Sequence, residues 1–289
     1  MTTTHSLETP DATLVYDVRG PLPPAEGRPP LMMVGSPMDA GGFSALASHF
    51  PDRTVVTYDP RGLGRSTRRD GRIEQTPEQQ AQDIHDIIRA LAVASVDLFA
   101  SSGGAVTALA LVAAHPDDVT TLVAHEPPLL SLLPDADRAF AAEREVQAAY
   151  HAKGWGYGMA AFIAMTAWRG ELTDDFAAQP APDPGSFGLP VEDDGSREDP
   201  LLSGVSNPIS AYRPDFAALA AAPTRVVVAV GIESEQLLTG RTAVAAATAL
   251  GQKPTVFPSH HGGFVGGDTP YAGQPEAFAA RLREVLERG

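Results

Sequence analysis

The residues best placed to do chemistry lie in the stretch V-D-L-F-A-S-S-G-G-A-V, where two serines and two glycines separate a β-like run from an apolar helical one. A strand that turns directly into a helix holds one residue in a positive-φ conformation, and the residues two before and two after it must both be small. Ser101 fails this test, because its flanks are Phe99 and Gly103. Ser102 passes, with Ala100 and Gly104. Such a turn exposes the Ser102 hydroxyl and aims the first amides of the following helix at it, where they favour negative charge. A plain strand-to-helix junction with serine as N-cap fits these residues equally well, so the rest of the chain must decide.

A serine hydroxyl needs a base within hydrogen-bond reach, a group that orients the base, and donors for an oxyanion. On a strand–turn–helix elbow the partners follow in the order serine, acid, histidine. The base is therefore expected after the last strand, and V-F-P-S-H-H-G-G-F supplies His260 and His261 there. His261, which leads into Gly262-Gly263, is the favoured base, and His260 is its neighbour or the base itself. His49, His85, His115, His125 and His151 fall on or at the ends of expected elements and are taken as structural.

The elements that must position these groups alternate. Strands are expected at residues 13–20, 31–35, 54–59, 96–100, 119–124, 224–230 and 254–257. Helices are expected at 77–92, with Thr76 as N-cap, at 103–115 and 241–250, and from 275 onward. Alternation of this kind, with strands rich in Val, Leu and Met, implies an α/β fold with a mostly parallel central sheet and helices on both faces. Residues 127–214 break the pattern with two helices, at 135–152 and 157–168, and a Pro/Gly/Asp-rich stretch. They read as a mainly helical lid inserted over the carboxyl edge of the sheet, on a core made of residues 1–126 and 215–289.

With these elements in place the chain resembles the α/β-hydrolase superfamily. The resemblance rests on V-G-S-P after the strand at 31–35, D-P-R-G-L-G-R-S at 59–66, A-S-S-G-G at the elbow and the His261 loop. It implies a serine-nucleophile enzyme with backbone oxyanion donors at Ser36 and Gly103, and Val34 where the family often has histidine. Asp59, Arg61, Gly62 and Gly64 are expected to shape the neighbouring loop. The acid departs from the family pattern: Ser234 stands where an aspartate is usual, in V-G-I-E-S-E-Q. Glu126, at the end of the preceding core strand in A-H-E-P-P, is the favoured acid, with Glu233 as the alternative. A salt-bridged structural carboxylate is the rival role for Glu126.

The helix at 157–168 and its surroundings are rich in aromatic and methionine side chains. Trp155, Trp168 and Tyr212 are expected to line an apolar pocket over Ser102. The expected activity is hydrolysis of an ester, thioester or lactone of a mostly apolar small molecule. Acyl transfer at the same Ser–His site, or ligand binding without catalysis, are the alternatives. Asp at the elbow would have pointed to epoxide or halide chemistry.

Composition narrows the rest. A net charge of −15 repels nucleic-acid phosphates and anionic lipid, so neither is an expected partner. The absence of cysteine excludes thiolate and disulfide chemistry. No phosphate-cradling loop or paired metal-ligand spacing is present, so no cofactor or metal is expected. The polar N-terminal stretch lacks a basic segment followed by an apolar one, and the expected location is the cytoplasm. Nothing in the sequence fixes the oligomeric state.

Overall fold

A computed structural model of the chain describes residues 2–24, 27–268 and 271–288. Residues 25 and 26 of the Pro/Gly loop at 21–30, and Met1, lie outside the described residues. The first half of the chain forms β1 (Thr2–Glu8), β2 (Ala12–Arg19), β3 (Leu31–Ser36), α1 (Ser44–Ser48), β4 (Val55–Tyr58), β5 (Thr67–Arg68), α2 (Pro77–Ala90), β6 (Val96–Ser102), α3 (Gly103–Ala114) and β7 (Val119–His125). The second half forms α4 (Ala136–Lys153), α5 (Trp155–Ala167), α6 (Asp174–Ala177), α7 (Asn207–Ser210), α8 (Phe216–Ala221), β8 (Arg225–Gly231), α9 (Leu238–Ala249), β9 (Thr255–Phe257) and α10 (Pro275–Leu286).

The described strands make one sheet in the order β1-β2-β4-β3-β6-β7-β8-β9, with β5 also on β2. From β4 to β9 every neighbouring pair is parallel, while β1 and β2 join antiparallel at one end. The parallel strands are covered on both faces, which is why β3 and β6 read as continuous apolar runs. On one face Ile84 and Ile87 of α2, Val106 and Leu109 of α3, and Ala243 of α9 pack on the sheet. On the other, Phe43, Phe50, Phe278 and Leu282 pack around Phe99. Helix α3 is buried from Gly103 to Val112, so its sequence lacks a polar face.

Strand β1 was not expected from the sequence. Its residues, T-T-T-H-S-L-E, are almost all exposed and show no apolar alternation. Backbone pairing along its whole length, from Thr2 opposite Arg19 to Glu8 opposite Thr13, makes it a strand. Helix α2 begins as expected, with the Thr76 hydroxyl accepting from Gln79 N–H at 3.3 Å. It ends short of the expected residue 92, because Ala92 takes φ 53°.

Residues 127–214 hold a separate apolar cluster in which Val146 and Tyr150 of α4 meet Met165 of α5, Leu202 and, from the core, Leu238. The segment is tied to the sheet side at several points. Arg241 of α9 pairs with Asp135 and donates to Gly170 O at 2.8 Å, and Gln75 N–H donates to Val205 O at 2.8 Å.

Beneath the turn at 59–66, Arg61 grips Asp83 of α2 in a two-pronged ion pair (2.9 and 2.5 Å) whose side chains are 3% and 1% exposed. Removing one partner of a buried pair strands the other charge. Asp83→Ala should therefore destabilise the protein by about 3–5 kcal/mol, read as a lower urea midpoint with an unchanged slope. A change within about 0.5 kcal/mol would show that water or another carboxylate takes over.

Candidate active site

The geometry at Ser102 decides between elbow and cap. Ser102 ends β6 with φ 57° and ψ −132°, and its side chain makes no capping hydrogen bond to α3. An ordinary N-cap serine has extended dihedrals and uses its oxygen on the helix; this one does neither. The residues around it had to be small. A Cβ on Gly104 would lie 2.7 Å from Val34 O and 2.8 Å from Gly35 Cα, both backbone atoms. A Cβ on Gly103 would lie 2.7 Å from Ser36 O. Strand β3 thus runs hard against the start of α3, and Ser36 stands opposite Ser102 in the parallel register. The two expected oxyanion donors, Ser36 and Gly103, come from adjacent chain ends at this junction.

Glu126 follows the last residue of β7 with φ 47° and has no exposed surface. A carboxylate so placed must be surrounded by donors. Oε1 accepts from Gly231 N–H at 2.8 Å. Oε2 accepts from the Thr239 hydroxyl at 2.6 Å and from His261 Nδ1 at 2.7 Å. Burial alone pushes the Glu126 carboxyl up. The hydrogen bond and charge of His261, the neighbouring His125 and the Thr239 hydroxyl outweigh that and hold it well below the usual carboxylate range.

His261 is carried by a loop with its own constraints. Ser259 has φ 67°. The His260 ring folds back to accept Gly262 N–H on Nδ1 at 3.0 Å, and its carbonyl accepts Gly263 N–H at 2.8 Å. Phe264 then anchors the loop by stacking on Phe43, with ring centroids 5.4 Å apart. His261, rather than His260, meets the carboxylate. Glu233 lies exposed, with its backbone N–H on Ser259 O, while Ser234 is buried with an unpartnered hydroxyl.

The turn at 59–66 buttresses the segment that follows β3. Asp59 accepts Ala40 N–H at 3.0 Å and Arg65 N–H at 2.8 Å, and a Cβ on Gly64 would strike its Oδ2 at 2.7 Å. Gln80 of α2, which the sequence did not single out, is buried behind Ser36. It accepts from the Thr107 hydroxyl at 2.8 Å and donates to Gln75 at 2.6 Å.

Comparison with known proteins fits this architecture. A family model described as the α/β hydrolase fold matches residues 31–162. The structure of a thermophilic esterase from Thermogutta terrifontis superposes over 100% of this chain and 98% of that one, with a TM-score of 0.62 at 22% identity. The chain has the α/β-hydrolase fold. Among curated proteins, an uncharacterized hydrolase, YraK, of Bacillus subtilis is 36% identical over 44% of this chain and 46% of its own length. A proline iminopeptidase of Xylella fastidiosa is 32% identical over 34% of this chain and 31% of its own. The chain therefore spans less than half the length of the curated relatives it matches.

Within this α/β-hydrolase frame the tryptophans expected to line the pocket have partners inside residues 127–214. Trp155 Nε1 donates to Asp199 at 3.0 Å, and Trp168 Nε1 donates to Glu171 O while its ring meets Phe176 edge-on. Tyr212 packs against the main core. From this segment Ile209 of α7 approaches the elbow, its Cγ2 lying 3.2 Å from the position of a Gly103 Cβ. Elsewhere, His85, His115 and Asp118 converge. The two rings are stacked at 3.8 Å, whereas imidazoles sharing one tetrahedral ion sit about 5 Å apart. The trio is thus built as a stacked pair with a carboxylate on His85 (2.6 Å). Among the described residues no helix is long and apolar enough to cross a membrane.

His125, beside Glu126, is fully buried and held neutral: burial above all lowers its pKa from 6.5 to about 4, against the pull of Glu126. In the unfolded chain it would take up a proton near 6.5. The unfolded state therefore binds more protons between those values, and stability falls as the pH drops through that window, by roughly 3 kcal/mol in all. Glu126 adds to the loss from the ordinary carboxylate range downward, where its unfolded carboxyl takes up a proton and the folded one does not. Chemical denaturation from pH 7 to 4 should show this slope in the wild type and a flatter one in His125→Phe; parallel curves would mean that His125 charges freely in the folded state.

Proposed function

We propose that this chain is a serine hydrolase that cleaves an ester, thioester or lactone of a mostly apolar small molecule through an acyl-enzyme. One observation carries the proposal: a buried, anionic Glu126 holds His261 by Nδ1, in a chain whose strained elbow leaves the Ser102 hydroxyl free of capping duty. A carboxylate on Nδ1 fixes the tautomer, so that Nε2 carries the lone pair a general base needs.

Ser102 Oγ attacks the carbonyl carbon as His261 Nε2 takes its proton. The oxyanion is bound by the backbone N–H groups of Ser36 and Gly103. When the tetrahedral intermediate collapses, the bond to the leaving group breaks and His261 returns the proton to it. Water then attacks the Ser102 ester, with His261 taking and passing on the proton a second time, and the carboxylic acid departs. Glu126 stays ionised throughout and stabilises the His261 imidazolium. Residues 127–214 act as the lid over a core of residues 1–126 and 215–289. Ile209, whose Cγ2 approaches the start of α3, is a lid side chain placed to meet the acyl group.

A fluorophosphonate probe should label the wild type stoichiometrically and leave Ser102→Ala unlabelled, with p-nitrophenyl butyrate hydrolysis lost in parallel. Glu126→Gln should keep the serine but lose about 10³–10⁴-fold in kcat. Labelling of Ser102→Ala at the wild-type level would reject the nucleophile, and full activity of Glu126→Gln would reject the acid. For the lid, Ile209→Trp should slow p-nitrophenyl octanoate relative to the acetate. An unaltered ratio of the two rates would remove Ile209 from the acyl pocket.

A further inference from the structure

One carboxylate in this protein is flanked by two imidazoles, and the proposed mechanism uses one of them. On the front, His261 meets Glu126 Oε2. Behind it His125, the last residue of β7, sits with its ring 5.9 Å from that of His261 and tilted only 21° from it. His125 Nδ1 lies 3.1 Å from the hydroxyl of Ser101, the residue opposite it on β6. Its Nε2 has no hydrogen-bond partner and lies 3.9 Å from Glu126 Oε1. Ser101, His125 and Glu126 thus repeat, on the buried side of the sheet, the order of side chains proposed for the front.

The surroundings do not explain an imidazole here. The ring is boxed by Phe99, Phe257, Phe264 and Phe278, at centroid distances from 5.2 to 6.2 Å. A phenylalanine would suit that box and leave no buried nitrogen without a partner, an arrangement that costs stability. The titratable groups acting on the ring are Glu126, His261 and His260; the aromatic walls from β6, β9, α10 and the 258–264 loop bring no charge. A neutral imidazole has one ring proton. With Ser101 donating to Nδ1, that proton is on Nε2, facing the anionic carboxylate, which favours this tautomer.

We infer that His125 is a positioning residue for the triad: its Nε2–H dipole, oriented by Ser101, holds Glu126 in place and anionic from behind, and Glu126 in turn orients His261. The inference rests on Glu126 and His261 acting as proposed above. Because the ring stays neutral, it adds this support without repelling the imidazolium that forms on His261 at each step.

The test combines His125→Phe with Ser101→Ala, which fills the box and leaves no orphaned hydroxyl. With p-nitrophenyl butyrate, kcat per folded molecule should fall about tenfold, the effect of one pKa unit of lost support, while KM stays within about twofold. The downfield proton resonance of the His261–Glu126 hydrogen bond should move. His125→Gln, whose amide can place an N–H near the same point, should recover part of the rate. If the double variant does not fold, Ser101→Ala alone decides, since releasing Nδ1 should also move the resonance and lower kcat. Wild-type kcat with an unmoved resonance, in whichever variant decides, overturns the inference. It falls by itself if Glu126→Gln is impaired, whereas full activity of Glu126→Gln would bring down the triad proposal as well.

Discussion

A charge removed from water has to be met by donors from every side, and the buried carboxylate of Glu126 imposes that demand on the rest of the site. Its three donors come from three places: the end of β8, the first turn of α9 and the loop after β9. Each is more than a hundred residues away in the chain, so the site can form only when the parallel half of the sheet is assembled. Gly231 shows how tightly this is built. A Cβ there would lie 2.6 Å from Ser259 O and 3.1 Å from Glu126 Oε1. The residue that donates to the acid must therefore be glycine, for want of room.

Backbone strain follows the same map. Among the described residues, four non-glycine positions have positive φ, and three of them are Ser102, Glu126 and Ser259. Each such conformation costs of the order of 1–3 kcal/mol and persists only where its surroundings over-determine it. Here the surroundings are the fully buried α3 behind Ser102, the β7–β8 pairing around Glu126, and the Phe264 anchor beyond Ser259. Two of these strained positions, Glu126 and Ser259, lie at the buried carboxylate and in the loop whose His261 meets it.

Much of this was legible in the sequence, for local reasons. The size of the residues flanking each serine separated Ser102 from Ser101, because the turn's steric demand reaches only two residues either way. Glu126, which stands just before two prolines, was favoured through the resemblance to a family, some members of which carry the acid after this core strand. What depends on distant contacts was not legible. Thr239 and the Gly231 amide become partners of Glu126 only through strand pairing. His260 and His261 are identical by type, and the fold-back of the His260 ring onto Gly262 separates them. That the ring of His125 faces Glu126 was not legible either, because nothing in A-H-E-P-P tells which way it points. The edge strand β1 was missed since backbone pairing, and not side-chain pattern, holds it. The tryptophans at 155 and 168 suggested a pocket by type alone, and their indole N–H groups turned out to be used within their own segment.

The two halves of the site rest on unequal foundations. The hydroxyl stands where β6 meets the buried helix α3, while the imidazole rides on a short loop held by backbone bonds, by the bond of His261 to Glu126 and by Phe264 packed among aromatic rings. Opening such a loop takes less free energy than dismantling the sheet. On gentle warming the proposed activity would fade before the molecule melts, the turn at Ser102 staying intact while the 258–264 loop opens and recloses.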